Sequence, residues 1–443
     1  MLQRLKTSAI LILLLGFVAA IRWLPNLIAP VKTFGYDYGF YLYNLSHSQF
    51  ESIKNLLASA WGGYGNPIFP LVHYFHIPSE AFLLLTQLLL AVFIGLSCYL
   101  FFSKDNRIAG LWALVLYALS VAQTEVYLMF LWKNLLGLFF LLLTFKFLKE
   151  KRYILFSLAG LATALSHRST TIIMLICLGI YFAYTLLKKQ HYKTLIPVLL
   201  VASGALILVF PAIKNFWITF TNNPNTGVYE GIFLANDNYL LLSLPLVILA
   251  AFGSYRYIKN KQHSILNIFA AMSLIWIIFQ LPFHNRIVPY LDIALVLYAA
   301  YFLASLKKTL ANKILIFLFI FLMALESASF ITKQLPLISR EEINEIKNFM
   351  APRSETLVIA LDAADAPWLL GYLQGVRVAA PGLFENRDNY QEWLNFWQGK
   401  EQKIFFTRYP KPLVLYQRSF RVLPEVQACS PPISKNFFLY QCP

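Results

Sequence analysis

The sequence predicts an α-helical polytopic membrane protein of about eleven transmembrane helices, followed by a small C-terminal α/β domain outside the membrane. Three observations carry that prediction. Over 443 residues the chain is 58% hydrophobic and 16% aromatic but only 13% charged, a composition suited to a bilayer and not to a soluble protein. Apolar runs of about 20 residues, the length that crosses about 30 Å of hydrocarbon, recur from the N-terminus to about residue 331 and then stop. Beyond that point the periodicity changes to short alternating runs.

The spans read at 7–29, 80–102, 107–123, 126–147, 153–165, 169–187, 194–213, 238–256, 264–282, 287–305 and 313–331. The first follows Arg4 and Lys6 without a small-residue cleavage site after it, so it reads as a retained helix and not as a signal peptide. The net charge of +16 is topological. Every second junction is basic: Arg4/Lys6, Lys104/Arg107, Lys146/Lys149/Lys151/Arg152, Lys188/Lys189/Lys193, Arg256/Lys259/Lys261 and Lys307/Lys308/Lys313. The alternate junctions hold only Lys32, Lys54, Arg168, Lys214 and Arg286. By the positive-inside rule the N-terminus is cytoplasmic in a plasma or inner membrane, and an odd number of crossings places the tail outside. The charge therefore indicates no nucleic-acid partner. The two short spans flanking "SHRST" are the weakest point of this topology, because fusing them into one re-entrant element would reverse the later sides.

The first outer loop, about 30–79, is the longest. It opens on "FGYDYGFYLY", continues through "SHSQFESIKNLLASA", whose Phe50, Ile53, Leu56 and Leu57 share one helical face as in an interfacial helix, and returns through the turn-rich "WGGYGNPIFPLVHYF". Later outer junctions are "SVAQTEVY", "SHRST", the Asn-rich 214–237 and "FHNR". In the tail, 332–443, a helix is expected over 341–350, and "TLVIAL", "KIFFTRY", "PLVLYQRSF" and "KNFFLYQC" read as strands. Cys98 and Cys177 fall inside spans as small apolar residues. Cys429 and Cys442 lie in the exported tail, where an oxidising compartment permits a disulfide and a cell without oxidative folding leaves two thiols. No Gly-rich phosphate loop, Walker motif or paired Cys/His zinc spacing occurs, which argues against an ATP-driven pump.

Asp37 is the sharpest chemical signal. It stands just beyond the first span among Tyr36, Tyr38, Phe40 and Tyr41, where desolvation tunes basicity and aromatic rings suit a sugar face. It is equally placed to N-cap a helix beginning at Tyr38. A second signal is a level of charges at the outer ends of spans: Glu125, Lys133, His167, Arg168, His284, Arg286 and Asp292. Such groups usually face a cavity, and Arg and Lys suit phosphate; snorkelling, or an ion pair such as Arg286 with Asp292, is the structural alternative. His73 and His76 carry only a weak metal spacing. A divalent cation, Mg or Mn, held by Asp37 or Glu125 would neutralise phosphate oxygens.

The motifs "YDYGFY" (36–41), "GNPIFPLVHYF" (65–75), "TEVYLMFLWKNLLGLFFLLL" (124–143), "LSHRSTTIIML" (165–175) and "HNRIVPYLDIALVLYAAYFL" (284–303), in a layout that covers the chain, resemble the GT-C glycosyltransferases. That superfamily includes protein O-mannosyltransferases, aminoarabinose transferases of lipid A and the catalytic subunit of oligosaccharyltransferase. The resemblance implies a catalytic membrane module over 1–331 that performs inverting transfer of a hexosyl or pentosyl unit. The donor would be a polyprenyl-phosphate-linked sugar, and the acceptor a glycan, lipid or protein, at the outer face of the membrane. It gives Asp37 the role of general base and Glu125 that of the second-loop acid. The leaving phosphate needs compensation of its charge, for which Arg286, Arg168 and Lys133, with His167 and His284, are the candidates. "YDY" is not a DxD and no WWD-type motif appears in the tail, departures that argue against a peptide-asparagine acceptor and an obligatory metal. The rivals are a polysaccharide polymerase, a lipid-linked glycan flippase, which would carry charge through the midplane, and a non-catalytic scaffold.

Overall fold

In the computed structural model, the described residues are 2–28, 35, 37–47, 65–188, 192–222, 236–260, 265–281, 283–334, 336–362, 364–373, 375–379, 390–400, 402–418 and 422–442. The helices are α1 (Leu2–Ile28), α2 (Tyr38–His47), α3 (Phe69–Tyr74), α4 (Ser79–Ser103), α5 (Arg107–Leu119), α6 (Val121–Leu128), α7 (Trp132–Lys149), α8 (Tyr153–Ser166), α9 (Arg168–Leu187), α10 (Tyr192–Asn222), α11 (Asn236–Leu242), α12 (Leu244–Lys259) and α13 (Ile265–Ile278). A 3-10 turn, His284–Ile287, then leads into α14 (Val288–Ser305) and α15 (Leu310–Lys333). In the tail come α16 (Arg340–Asn348), β1 (Leu357–Ala360), α17 (Ala366–Tyr372), β2 (Arg377–Ala379), α18 (Tyr390–Trp397), α19 (Gln402–Thr407), β3 (Leu413–Tyr416), α20 (Pro424–Ala428) and β4 (Phe437–Tyr440). The described chain forms two compact units, one of residues 1–29 and 49–335 and one of residues 30–48 and 336–443.

In the helical unit the expected spans fall on helices, with the third, fourth and eighth interrupted at Ser120, at 129–131 and at Ser243, and α14 is its centre: α5, α12 and α13 pack around it, and nearly all its side chains are buried. Among the described residues five helices are long and apolar enough to cross a membrane, or six if the bent pair α5–α6 counts as one, against the eleven expected. Caps explain where helices begin. The Oδ1 of Asn106 accepts the Ala109 N–H at 3.1 Å at the start of α5, and the Thr309 Oγ1 accepts from Asn312 N–H at 3.3 Å at the start of α15; each satisfies an orphan donor of the first turn. Three expectations need correction. The third and fourth spans do not meet at Thr124–Val126: the chain breaks at Ser120 and bends by 56° into α6. Glu125 therefore lies on that short helix, and Lys133 is the second residue of α7, not two turns into a span. The chain remains helical past residue 213 to Asn222. The expected interfacial helix over 46–60 and most of the Asn-rich loop lie outside the described residues.

The tail unit is built on a four-stranded sheet of order β2-β1-β3-β4. β1 is parallel to both β2 and β3, pairing Leu357 with Arg377 and with Leu413, and β4 runs antiparallel to β3. α16 opens with a capping box, Ser339 Oγ accepting from the Glu342 N–H at 3.1 Å while the Glu342 carboxylate accepts from the Ser339 N–H at 2.7 Å. "KIFFTRY" is a helix, not a strand. Phe405 and Phe406 are both buried, against Phe396 and Tyr440, and a strand would turn adjacent residues to opposite faces whereas a helix brings both to one core. Cys429 and Cys442 form a disulfide with Cα atoms 5.3 Å apart; Cys98 and Cys177 are buried free thiols in α4 and α9.

The first-loop helix α2 groups with this unit and lies on α17. Gly39 and Gly371 make that approach possible: a Cβ at Gly39 would overlap the Pro367 backbone, and one at Gly371 would come within 2.8 Å of the Gly39 carbonyl oxygen. At the head of α17, Asp365 is buried and its Oδ1 meets Arg418 Nη2 at 2.9 Å, while its Oδ2 has no hydrogen-bond partner among the described residues. Burial outweighs Arg418, whose guanidinium also serves Glu342 at 3.6 Å, and lifts the Asp365 carboxyl to about 6. A carboxyl raised in the folded state takes up its proton more readily there than when unfolded, so its contribution to stability falls as pH rises from about 4 to about 6 and then levels off. Thermal unfolding of the full chain across that window is expected to show this decline in wild type relative to Asp365→Asn.

Candidate active site

The helical unit gathers cations. Lys133 is buried at the start of α7. One turn on, Gly137 leaves room for the start of α9: a Cβ there would stand 2.7 Å from Thr170 Oγ1 and 2.9 Å from His167 Cβ. Because residues i and i+4 share a helix face, this close crossing brings Lys133 to the α8–α9 turn. His167, the single residue between those helices, N-caps α9, its Nδ1 accepting from the Thr170 N–H at 3.4 Å and lying 2.9 Å from Thr170 Oγ1. Thr170 Oγ1 in turn is 2.6 Å from the Tyr290 hydroxyl. Burial first, then the charges of Lys133, Arg168 and Arg286, hold His167 well below the ordinary histidine range. It is thus a neutral imidazole whose Nδ1 accepts, which leaves Nε2–H as a donor beside three cations.

Arg286 stands in the 3-10 turn before α14, with its guanidinium 5.7 Å from the Phe283 ring centre. Phe283 itself has φ 62°, and Phe130, just before α7, has φ 59°; left-handed non-glycine residues persist where surroundings over-determine them, often at functional sites. His284 is buried, and its Nδ1 has no partner among the described residues. Of the five expected phosphate ligands, Lys133, Arg168 and Arg286 are thus all within electrostatic reach of His167, and Arg168 of Lys133.

Glu125 is half-buried on α6 and has no ion-pair partner among the described residues. Its helix is fixed by two buried charges. Arg22 of α1, fully buried, donates from Nη2 to the Tyr117 carbonyl at 2.7 Å and from Nη1 to the Ala118 carbonyl at 3.1 Å and to Thr124 Oγ1 at 2.5 Å. Asp292 of α14, also fully buried, accepts from Ser120 Oγ at 2.7 Å, Gln123 Nε2 at 3.0 Å and the Tyr239 hydroxyl at 3.1 Å. Its partners are therefore these three side chains, and the expected pairing with Arg286 is absent among the described salt bridges. Arg22 escaped sequence reasoning, although an arginine inside an apolar run is a signal of a buried polar contact.

Asp37 belongs to the tail unit. It occupies the N-cap position of α2, its carbonyl accepting from the Tyr41 N–H at 3.1 Å, and its side chain is half-buried. Tyr38 and Tyr41, expected to face a sugar, are buried, with the Tyr38 ring 6.3 Å from that of Tyr372; here they seat α2 on α17. Tyr36 lies outside the described residues. Glu125 and the cations fall in the helical unit, so the sequence-predicted residues divide into two sets.

No protein-family model matches the sequence, and no curated protein matches it either. Among solved structures, the oligosaccharyltransferase of Archaeoglobus fulgidus in its apo form, a GT-C type enzyme, matches with a TM-score of 0.65 at 12% identity, covering 93% of this chain and 69% of that one. The chain has the GT-C fold. At that identity the likeness is one of fold. It accommodates the departures from the oligosaccharyltransferase motifs noted in the sequence, and the chain's own long apolar helices mark an integral membrane protein. Among the described residues no three His, Cys, Asp or Glu side chains gather as ligands for a metal ion. His73 and His76 are exposed. The two carboxylates expected to hold a divalent cation, Asp37 and Glu125, belong to different units.

Proposed function

We propose that the chain is an inverting glycosyltransferase that moves a sugar from a polyprenyl-phosphate-linked donor to a hydroxyl-bearing acceptor, a glycan, lipid or protein, at the extracytoplasmic face. The observation that carries the reading is the cluster of Lys133, His167, Arg168 and Arg286 in one unit of a GT-C-fold protein. Cations held within electrostatic reach of His167 suit an anion, and a departing phosphate requires charge compensation and no acid. In the reaction the acceptor oxygen attacks C1 from the face opposite the phosphate. The C1–O bond to phosphorus breaks with its electron pair, and the hydroxyl proton passes to the carboxylate of Asp37. Arg286, Arg168 and Lys133 balance the phosphate charge, and Nε2–H of neutral His167 donates to one of its oxygens. Glu125 assists at the acceptor side. The Cys429–Cys442 disulfide accords with a tail that faces an oxidising exterior, and the basic junctions orient the N-terminus to the cytoplasm.

A polymerase, which also moves sugars between lipid carriers, is a variant of the same chemistry; a flippase is not. Proteoliposomes loaded with sugar-labelled polyprenyl phosphates and a panel of acceptors separate them. Label appearing on an acceptor, with free polyprenyl phosphate formed, supports transfer. Donor that crosses the bilayer intact without cleavage supports the flippase.

A further inference from the structure

The break between α5 and α6 is held by two fully buried charges of opposite sign, and each sits at the helix end whose dipole it complements. Arg22 donates to the Tyr117 and Ala118 carbonyls, in the last turn at the negative C-terminus of α5. Asp292 accepts from Ser120, the N-cap of α6, and from Gln123 in its first turn, at the positive N-terminus of that helix. Ser120 Oγ is itself shared, accepting from the Gln123 N–H at 3.1 Å. Gln123 Nε2 also reaches the Pro289 carbonyl at 2.8 Å, and Arg22 of α1 reaches Thr124. The two residues that precede Glu125 are thus gripped from α1 and from α14. With about 100° of rotation per residue in a helix, fixing 123 and 124 fixes the direction in which 125 leaves.

We infer that Arg22 and Asp292 are positioning residues for Glu125, clamping the α5–α6 break from α1 and from α14 so that its carboxylate is held at one place. A break that served only to end a span needs a cap such as Ser120 and no buried charges; two charges taken from water for one short helix point to a placement that must be kept. The chemical purpose of that placement rests on the proposed transfer reaction, whereas the clamp itself does not.

The test uses the full chain in nanodiscs. The charge-neutral pair Arg22→Met with Asp292→Asn avoids leaving one charge buried alone, and Arg22→Lys, which keeps the charge and loses the fork, is the second variant. In a Glu125→Cys background, maleimide modification of the new thiol is expected to speed up by about tenfold in the paired variant, as α6 loosens, with a monodisperse, folded protein. A rate within about twofold of the parent overturns the clamp. In the transfer assay the paired variant is expected to lower kcat by about 10-fold or more with the donor KM held within about twofold. In a Glu125→Gln background the same change is expected to cost no more than about twofold, because the carboxylate it places is already gone. Equal losses in both backgrounds mark a merely structural role and overturn the inference. If wild type transfers no sugar from any donor, the proposed function falls and the labelling still decides the clamp.

Discussion

Asp37→Asn is expected to lower kcat for sugar transfer by about 10²–10⁴-fold, the range of a positioned general base, while the protein stays folded. The substitution separates the two roles that the position allows. Asp37 stands at the start of α2 with its carbonyl in the first helical hydrogen bond, and asparagine is as good an N-cap as aspartate. A residue that only capped the helix would therefore tolerate the change, with thermal midpoint and turnover both close to wild type. A base would not, because the amide cannot accept the acceptor's proton at neutral pH. Steady-state kinetics alongside thermal unfolding give both readouts, and retained turnover in folded Asp37→Asn removes the base assignment.

Arg286→Ala and Arg168→Ala are each expected to reduce kcat/KM for the lipid-linked donor by about 10²-fold, the loss seen when one preorganised group that stabilises developing charge is removed. The two cations act on the same neighbourhood, since both press on His167, so the double variant is expected to lose less than the product of the single effects. Lysine at either position keeps the charge but not the bidentate fork, and it is expected to restore part of the rate. Kinetics at fixed ionic strength check both statements. Unchanged donor kinetics in both alanine variants would turn the cluster into a structural feature.

The apolar segments were legible because hydrocarbon demands long apolar helices; the errors lie at their ends and at the breaks inside three of them, at Ser120, 129–131 and Ser243. The junction "SVAQTEVY" was legible from its polar residues but the bend within it was not, because its corner is held by Ser120 with two distant residues, Arg22 and Asp292, that no local window contains. In the tail, "KIFFTRY" misled because a short run with adjacent aromatics fits either period, and the packing of Phe405 and Phe406 decided for the helix. The three-residue strand β2 carries too little pattern to be read. The grouping of α2 with α17 was invisible for a different reason: it depends on two glycines, Gly39 and Gly371, more than 300 residues apart. The candidate site was legible as a set of residue types at the outer ends of spans. What brings Lys133 to His167 is Gly137, whose missing side chain has no signature in hydropathy.

The central claim, inverting transfer from a polyprenyl-phosphate donor, is tested most directly by following one reaction of the purified full chain in nanodiscs with a donor of known anomeric configuration. The account predicts one polyprenyl phosphate released per sugar transferred and a product of the opposite configuration at C1. A product that retains the donor's configuration, or cleavage of the donor with no glycosylated acceptor formed, would contradict it.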